Sequence, residues 1–357
     1  MEIEINAFPV QIGHGLIERF SSQLPGYVLF AAPRAWKAAH CRFTKQPQQV
    51  IPTESLDQQH LEKLVEILPG VDAIAGLGGG TAIDTAKYVA WRCELPLWQF
   101  PSIASADASF TRAAGIRRDR RVRYVGKVVP RAIAVDLDLV LTAPPELNRS
   151  GAGDILSCHT GMFDWQDAQG AYGVPTLNKD LLRRSTGWLN LLNEHAEDVH
   201  DVREEGVNLL VRLLSECGAT CDAAGHSLFE EGSEHYFAYC FEATTGRRLI
   251  HGQLIALAAL LMSVAQSNNP EWIAALIARL GIPALPSQLG VSHEEIEDVL
   301  RALPSFCAEE GFLPSAAHEL TAPDRAAIHH FLNRWETAGL RSGRPRSPSP
   351  PKLSRCS

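Results

Sequence analysis

The hydrophobic and polar positions of the first 145 residues form short apolar runs that alternate with segments of helical period. Residues 27–31 are continuously apolar, and residues 2–5 alternate polar and apolar side chains, so both segments predict strands. Strands that alternate with helices predict a parallel sheet with helices on its faces. The predicted strands are 2–5, 27–31, 49–51, 71–76, 96–100 and 131–136, and the predicted helices are 17–24, 56–68 and 81–91.

The pattern changes after the Ala-Pro-Pro sequence at 143–145, because no later segment is convincing as a strand. We therefore predict an α/β domain over 1–145 and an all-α domain over 146–339. Residues 340–357 are rich in Pro, Ser and Arg, cannot bury a core, and are predicted to be a disordered basic tail. The predicted helices of the second domain are 181–193, 202–217, 235–243, 254–267 and 271–280.

Composition narrows the class of protein. A chain of 357 residues with 45% hydrophobic and 21% charged side chains is long enough for two globular domains. Its net charge of -8 offers no global basic field, so no nucleic-acid partner is expected. Its eight cysteines include no Cys-x-x-Cys pair, which favours reduced thiols and a cytoplasmic location. The first residues lack the features of a secretory signal, and the longest apolar run, 254–265, is too short to span a membrane.

Three adjacent glycines, Gly78 to Gly80, lie between a predicted strand and a predicted helix. Glycine lets the backbone approach a phosphate closely, and the start of a helix offers free N–H groups and the positive end of its dipole. The sequence matches neither the Gly-x-Gly-x-x-Gly pattern nor the P-loop. A tight turn without a ligand is the alternative, but three glycines are costly for a turn alone. We therefore favour a phosphate-binding loop.

Two histidines, His235 and His251, each stand at the start of a predicted helical run, sixteen residues apart. Imidazole nitrogens are good ligands for a divalent metal, but two of them do not complete a site. The best candidate for an additional carboxylate is Asp154, which follows a Gly-Ala-Gly sequence. On spacing alone, two unrelated histidines remain the simpler interpretation.

The motif from Gly78 to Lys87, Gly-Gly-Gly-x-x-x-Asp-x-Ala-Lys, resembles the iron-containing alcohol dehydrogenase and dehydroquinate synthase superfamily. Segments 100–109 and 135–144 resemble the next two motifs of that superfamily. Within it, the segments most similar to glycerol-1-phosphate dehydrogenases are 151–157, 163–165 and 232–235. The resemblance extends in order over about residues 5–265.

This resemblance implies a dehydroquinate synthase-like fold, with a nucleotide-binding α/β domain and a helical metal- and substrate-binding domain. Asp154, His235 and His251 match metal ligands, and Asp107 matches an aspartate that contacts substrate. NAD or NADP is the implied cofactor, together with one divalent metal, for which we favour zinc and leave iron and nickel open. The positions that match the dinucleotide site are Gly78, Gly79, Gly80, Thr81, Ala82, Ser102, Ser105 and Thr111.

The implied reaction is the reduction of a small phosphorylated keto-alcohol, of the dihydroxyacetone phosphate type, to the alcohol. The partner is then a small-molecule substrate, and a homo-oligomer is left open. The sequence departs from the family at Tyr239, where a second histidine is usual, and at Gln253, where a glutamate is usual. A phenol does not relay protons near neutral pH as imidazole does. We therefore keep Tyr239 as a candidate catalytic residue, with a role different from that of the usual histidine.

A sugar-phosphate cyclase of the dehydroquinate synthase type, which uses bound NAD transiently, is the alternative. Segment 241–252 resembles that enzyme more than a dehydrogenase. The metal glutamate of the cyclases is Asp154 here, and their lysines are absent around 157–159 and after Asp107. We therefore rank the cyclase second. A non-catalytic relative is a third possibility, but an idle site has no need for an aspartate and two histidines together.

Overall fold

The structure is a computed structural model that describes residues 8–339. The predicted strand at 2–5 and the predicted tail at 340–357 lie outside the described residues. None of the helices in the described part is both long enough and apolar enough to cross a membrane.

The described part of the chain contains eight strands and seventeen α-helices. The strands are β1 Val10–Gly13, β2 Tyr27–Ala31, β3 Gln49–Pro52, β4 Ala73–Gly78, β5 Leu97–Pro101, β6 Ala114–Arg118, β7 Arg121–Val125 and β8 Ala132–Asp136. The helices are α1 Leu16–Ser21, α2 Pro33–Ala39, α3 Gln58–Glu66, α4 Gly80–Cys93, α5 Leu137–Val140, α6 Pro145–Arg149, α7 Ala152–Leu156, α8 Cys158–Asp167, α9 Lys179–Glu194, α10 Ala196–His200, α11 Glu204–Ala224, α12 Ser233–Thr245, α13 His251–Ala265, α14 Pro270–Leu280, α15 Pro286–Leu289, α16 His293–Glu310 and α17 Ala322–Gly339.

The first compact unit, residues 8–151 with 202–226, is built on a parallel sheet. Six strands pair in the order β1-β8-β5-β4-β2-β3, and every pair in this sheet is parallel. Strand β2 is buried along its whole length, and it contributes Leu29 to one apolar cluster and Phe30 to another. Burial on both faces explains why the strand is a continuous apolar run in the sequence.

The order of the strands reverses direction between β2 and β4. The chain passes from β2 outward to β3, returns to β4, and then builds the sheet in the opposite direction through β5. Ligands of doubly wound sheets bind beyond the carboxyl ends of the strands at such a point. The glycines that follow β4 therefore lie at the position where doubly wound sheets usually bind their ligands.

Strands β6 and β7 form an antiparallel hairpin that was not predicted from the sequence. Its turn residues, Asp119 and Arg120, both have positive φ angles, at 53° and 62°. Hairpin turns of this kind usually contain glycine or asparagine, which is the signal that sequence reasoning uses. Here neither residue is present, and the arginines that surround the turn hide the alternation of the strands.

Helix α11 belongs to the α/β unit rather than to the helical one. It packs against a 3-10 turn at Asp107–Phe110, and Arg112 forms an ion pair with Asp222 of α11 at 2.9 Å. The predicted division into an α/β domain over 1–145 and a helical domain over 146–339 remains a prediction. By contacts, the first unit also includes residues 202–226, which a single boundary in the sequence does not describe.

The second compact unit comprises residues 152–201 and 227–339 of the described chain, and its regular elements are helices. Helix α13 lies at its centre, packed against α7, α12, α14 and α17. All its residues from Gly252 to Ser263 are buried, so the helix is apolar all round as expected of a core helix. The predicted fold class, an α/β part with a parallel sheet followed by helices, is confirmed.

Candidate active site

The three predicted metal ligands lie together within the helical unit. Asp154 is on the short helix α7, His235 is in the first turn of α12, and His251 is the first residue of α13. One donor atom from each residue lies within 4.8 Å of the other two. Nε2 of His251 lies 3.5 Å from Oδ1 of Asp154.

These separations fit a single divalent cation, because zinc bonds to imidazole nitrogen and carboxylate oxygen at about 2.0–2.2 Å. Asp154 and His235 are buried, whereas the side chain of His251 is 36% exposed. Two of the three candidate ligands are thus buried in the core, while the third is partly exposed to solvent. A structural site closed by four protein ligands has no such opening, so the donor set suits a catalytic ion.

Glu234 fixes the orientation of the His235 ring. This fully buried carboxylate accepts the N–H of Gly232 at 2.7 Å and the hydroxyl of Thr160 at 2.5 Å. Its Oε1 also lies 2.8 Å from Nδ1 of His235. A carboxylate at Nδ1 assigns the proton to that nitrogen and leaves Nε2 free to bind a metal.

Negative charge concentrates around the His235 imidazole. Burial lowers the pKa of His235, but the hydrogen bond with Glu234 and the charges of Glu231 and Asp154 outweigh burial and raise this pKa to about 9. The neighbouring carboxylates therefore stabilise a positive charge at His235. A divalent cation bound beside this ring would also be stabilised by these carboxylates.

Asp164 of α8 caps the helix that carries His235. Its carboxylate accepts the N–H of Ser233 at 2.7 Å and that of Ala316 at 2.9 Å. Ser233 is the first residue of α12, whose preceding residue, Gly232, has no side chain for capping. Burial, assisted by the charge of Glu234, raises the pKa of Asp164 to about 6.

The glycine loop follows β4 in the α/β unit and starts α4. Gly78 has a φ of 150°, and a Cβ added there would lie 2.7 Å from that of Ala82 and 2.8 Å from that of Ala32. Gly79 precedes the first helical residue, Gly80, and no side chain caps the helix start there. Glycine is therefore required at residue 78 by close packing and by its positive φ, and the first N–H groups of α4 have no side-chain cap.

Two of the other predicted nucleotide residues, Ser102 and Ser105, lie beside the same loop. Ser102 donates its backbone N–H to the carbonyl of Gly78 at 3.0 Å, and a Cβ on Gly79 would lie 3.8 Å from Oγ of Ser105. Of the two residues after the glycines, Thr81 is exposed and Ala82 is buried.

A buried lysine of α4 holds the segment that contains Asp107. Lys87 pairs with Asp84 at 2.7 Å, and its Nζ donates to the carbonyl of Ala108 at 2.8 Å and to the hydroxyl of Thr111 at 3.3 Å. Asp107 is the first residue of the 3-10 turn that includes Ala108. This turn is therefore tied to the helix that begins at the glycine loop.

Known proteins resemble this chain in sequence and in fold. Residues 34–144 match the iron-containing alcohol dehydrogenase family. A glycerol-1-phosphate dehydrogenase [NAD(P)+] from Pyrobaculum neutrophilum is 33% identical over 244 residues, which cover 66% of this chain and 69% of that protein. The chain belongs to the iron-containing alcohol dehydrogenase superfamily, as a glycerol-1-phosphate dehydrogenase-like member. The predicted superfamily and dehydrogenase class are thereby confirmed.

Other relatives of this superfamily agree. A glycerol-1-phosphate dehydrogenase [NAD(P)+] from Hyperthermus butylicus is 28% identical over 300 residues, which cover 80% of this chain and 83% of that protein. The crystal structure of a glycerol dehydrogenase from Schizosaccharomyces pombe has a TM-score of 0.73 at 19% identity, covering 99% of this chain and 98% of that one. At this identity the likeness shows the fold alone.

Tyr239 departs from the superfamily pattern and has a specific partner. It lies one turn after His235 on α12, and the centroids of the two rings are 6.0 Å apart. Its hydroxyl donates to Oε1 of Glu231 at 2.9 Å, and Oε2 of the same carboxylate accepts the hydroxyl of Ser227 at 2.6 Å. The phenol therefore points to a carboxylate held at both oxygens.

Sequence reasoning missed the glutamates of this site, Glu230, Glu231 and Glu234. The signal was present as the sequence Glu-Glu-Gly-Ser-Glu directly before His235. Such a run is usually a solvated surface, but Glu230 and Glu234 are both buried. A buried carboxylate beside a candidate ligand points to a role in the site, but the sequence does not reveal that these glutamates are buried.

Proposed function

We propose that this chain is a metal-dependent, NAD(P)-linked oxidoreductase that reduces the carbonyl of a small phosphorylated keto-alcohol, of the dihydroxyacetone phosphate type, to the alcohol. One observation above all supports the proposal: donor atoms of Asp154, His235 and His251 converge within 4.8 Å although they come from three separate helices. Relatives named glycerol-1-phosphate dehydrogenase [NAD(P)+] support the choice of substrate and cofactor.

In this proposal Asp154, His235 and His251 hold a divalent cation, and Glu234 keeps Nε2 of His235 available for it. When bound, the cation supplies a Lewis acid that polarises a substrate carbonyl. Zinc is the ion we expect, with iron and nickel as alternatives, because one aspartate and two histidines suit all three. The exposed side of His251 leaves room for a substrate oxygen.

The glycine loop would bind the pyrophosphate of the nucleotide. The backbone N–H groups at the start of α4 would donate to its oxygens, and Thr81, Ser102, Ser105 and Thr111 would line the approach to this loop. The nicotinamide, when bound, supplies the hydride. We assign Asp107 to a substrate hydroxyl and Tyr239 to a polar contact with substrate. Both assignments rest on the family motif.

A reduction screen tests the proposal. Purified protein is assayed with dihydroxyacetone phosphate and related keto-alcohols, with NADH and NADPH in parallel, and its metal content is measured. We expect loss of nicotinamide absorbance in step with product, and loss of both metal and turnover in His251→Ala. The exposed His195, on the same unit, provides a matched control as His195→Ala.

The same assay separates the alternative cyclase. A dehydrogenase consumes one reduced cofactor in each turnover, whereas a cyclase regenerates its cofactor and releases inorganic phosphate. Phosphate release from a seven-carbon sugar phosphate, without cofactor consumption, would overturn the proposed reaction. Metal content unchanged in both His235→Ala and His251→Ala would overturn the ligand assignment.

A further inference from the structure

We propose that Lys87 is a positioning residue, which fixes the segment 107–115 relative to the glycine loop. This segment carries Asp107 and Thr111, so the inference rests on the proposed function, which gives these two residues their roles. Lys87 belongs to α4 and is only 1% exposed, yet the proposed reaction assigns it no task.

One face of α4 contacts this segment over two helical turns. Gly80, Asp84 and Lys87 are spaced by four and then three residues, so they lie on the same side of the helix. A Cβ added to Gly80 would lie 3.7 Å from the Cβ of Ala108. Two turns later, Nζ of Lys87 donates to the carbonyl of Ala108 at 2.8 Å. The residue after Asp107 therefore contacts both the glycine loop and Lys87.

Lys87 and Asp84 bind the segment at several further points. Nζ of Lys87 also donates to the carbonyl of Ala113 and, at 3.3 Å, to the hydroxyl of Thr111. The carboxylate of Asp84 lies 2.7 Å from the same Nζ and accepts a hydrogen bond from the backbone of Gly115. Because most of these partners are main-chain groups, the ion pair fixes the path of the backbone itself.

The burial of this ion pair favours a role in geometry over a role in stability. Asp84 is 8% exposed, so both charges have lost most of their hydration. Apolar side chains in place of a buried ion pair are often neutral or stabilising, because attraction between the charges repays this loss only in part. An apolar pair, however, has no donors for the backbone oxygens of the segment. A displacement of about 1 Å in a group that contacts substrate can lower turnover about 100-fold.

The experiment compares two cations of the same helix. Lys87→Met retains an unbranched side chain and removes the ammonium group. Arg92→Met is the matched control, because it removes a cation of α4 whose ion-pair partner is the half-exposed Glu62 of α3. For each variant, circular dichroism checks the fold. The quantities measured are amide hydrogen exchange in the segment, NADH affinity by nicotinamide fluorescence, and kcat and KM for dihydroxyacetone phosphate.

We expect all three measurements to change in Lys87→Met and none in Arg92→Met. Amides of the segment should exchange faster, because the hydrogen bonds that restrain it are lost. NADH should bind more weakly, since Thr111 is displaced from the nucleotide site. The value of kcat/KM per folded molecule should fall about 10–100-fold, since Asp107 is displaced as well. A purely structural role would lower stability and leave both NADH affinity and kcat/KM per folded molecule unchanged.

The outcomes separate the inference from the proposed function. If the wild type reduces keto-alcohols but Lys87→Met equals Arg92→Met in NADH affinity and in kcat/KM, Lys87 does not position the segment and the proposed function stands. If the wild type reduces none of them, the proposed reaction fails. Exchange and NADH affinity then decide the inference, which is supported if both change in Lys87→Met and overturned if NADH affinity does not.

A second variant covers the case in which Lys87→Met does not fold. The double variant Asp84→Leu with Lys87→Met then takes its place, because it leaves no unpaired charge in the core. It is expected to show the same faster exchange, weaker NADH binding and lower kcat/KM. Wild-type values of NADH affinity and kcat/KM in this double variant would refute the inference.

Discussion

The backbones of Gly153 and Gly252 lie in direct contact, so that a Cβ added to Gly153 would be 2.0 Å from the carbonyl oxygen of Gly252. Gly153 directly precedes Asp154 on α7, and Gly252 directly follows His251 on α13. The close approach of the two helices therefore brings the two ligands together. Glycine is required here for proximity, because any side chain would push the helices apart.

We expect Gly153→Ala to lower the free energy of unfolding by about 1–3 kcal/mol, toward the upper end because the new methyl group meets backbone. The same change should weaken Zn²⁺ binding by separating Asp154 from His251. Denaturant unfolding and chelator competition measure the two effects. Gly187 on α9 is the control, since an added Cβ meets nothing within 4 Å there. Gly187→Ala should raise stability by up to about 1 kcal/mol, and a Gly153→Ala variant that behaves in the same way would contradict the packing argument.

The second prediction concerns the glycine loop. We expect Gly79→Asp to abolish binding of the reduced cofactor while the α/β unit stays folded, because a carboxylate would repel the pyrophosphate. The closest contact of a Cβ at residue 79 would be the flexible end of the Ile103 side chain, at 2.8 Å, and the helix start tolerates an aspartate. Equilibrium titration by nicotinamide fluorescence measures affinity. Gly70→Asp adds the same charge at an exposed turn with open space and should bind as wild type does. Unchanged affinity in Gly79→Asp would remove the loop from the nucleotide site.

Residue types with special chemistry were the part of the site that the sequence could predict. The glycine loop, His235, His251 and Asp154 are predicted from the sequence because phosphate and metal binding demand glycine, imidazole and carboxylate in a few arrangements, and the structure brings the two histidines and the aspartate together. Glu234 and Asp164 were missed because their roles depend on burial. Asp164 is 69 residues from Ser233, whose N–H it accepts, and no local pattern reveals such a partner.

The fold shows the same limit. Strand β2 was predicted because burial on both faces leaves a continuous apolar run, whereas hairpin β6–β7 lacks both apolar alternation and a glycine turn. Helix α11 was predicted as a helix, but its assignment to the α/β unit was not. Periodicity shows which face of a helix is apolar and does not show which partner covers that face.

The third prediction uses the buried Asp164. Asp164→Asn should lower the free energy of unfolding by about 1–3 kcal/mol near neutral pH, because an amide has one oxygen for the two N–H groups of Ser233 and Ala316. The pKa of this carboxyl is raised from 3.8 to about 6, mainly by burial and then by the charge of Glu234. The Cys307 thiol of α16 and the Tyr236 phenol of α12 are further titratable groups near it.

The contribution of Asp164 to the free energy of unfolding depends on pH with a definite sign. The folded state holds the proton of Asp164 more tightly than the unfolded chain, so this group's contribution to stability falls as pH rises from about 4 to about 6, by up to about 3 kcal/mol. Asparagine does not titrate. The stability difference between the wild type and Asp164→Asn should therefore shrink over this interval, as followed by urea unfolding at each pH. A difference that grows with pH would show that the carboxyl's pKa is lowered instead.

The last prediction concerns Tyr239, which lies one helical turn after His235 on α12. Its hydroxyl donates a hydrogen bond to Glu231. We expect Tyr239→Phe to keep its metal content, because the phenol is not among the donor atoms of the triad, and to lower kcat for the keto-alcohol substrate. The reason is that phenylalanine removes the polar atom while retaining the ring that packs beside Phe312 at 6.1 Å.

Tyr239→His then separates two roles for this position. If the tyrosine stands in for the usual histidine of the family, the imidazole restores kcat relative to Tyr239→Phe, since it can also donate to Glu231 and relays protons near neutral pH. If the phenol instead shapes the pocket, the histidine variant raises KM and leaves kcat at the level of Tyr239→Phe. We expect the first result. Metal content and unfolding free energy are measured for both variants, and full activity in Tyr239→Phe would exclude the hydroxyl from the reaction altogether.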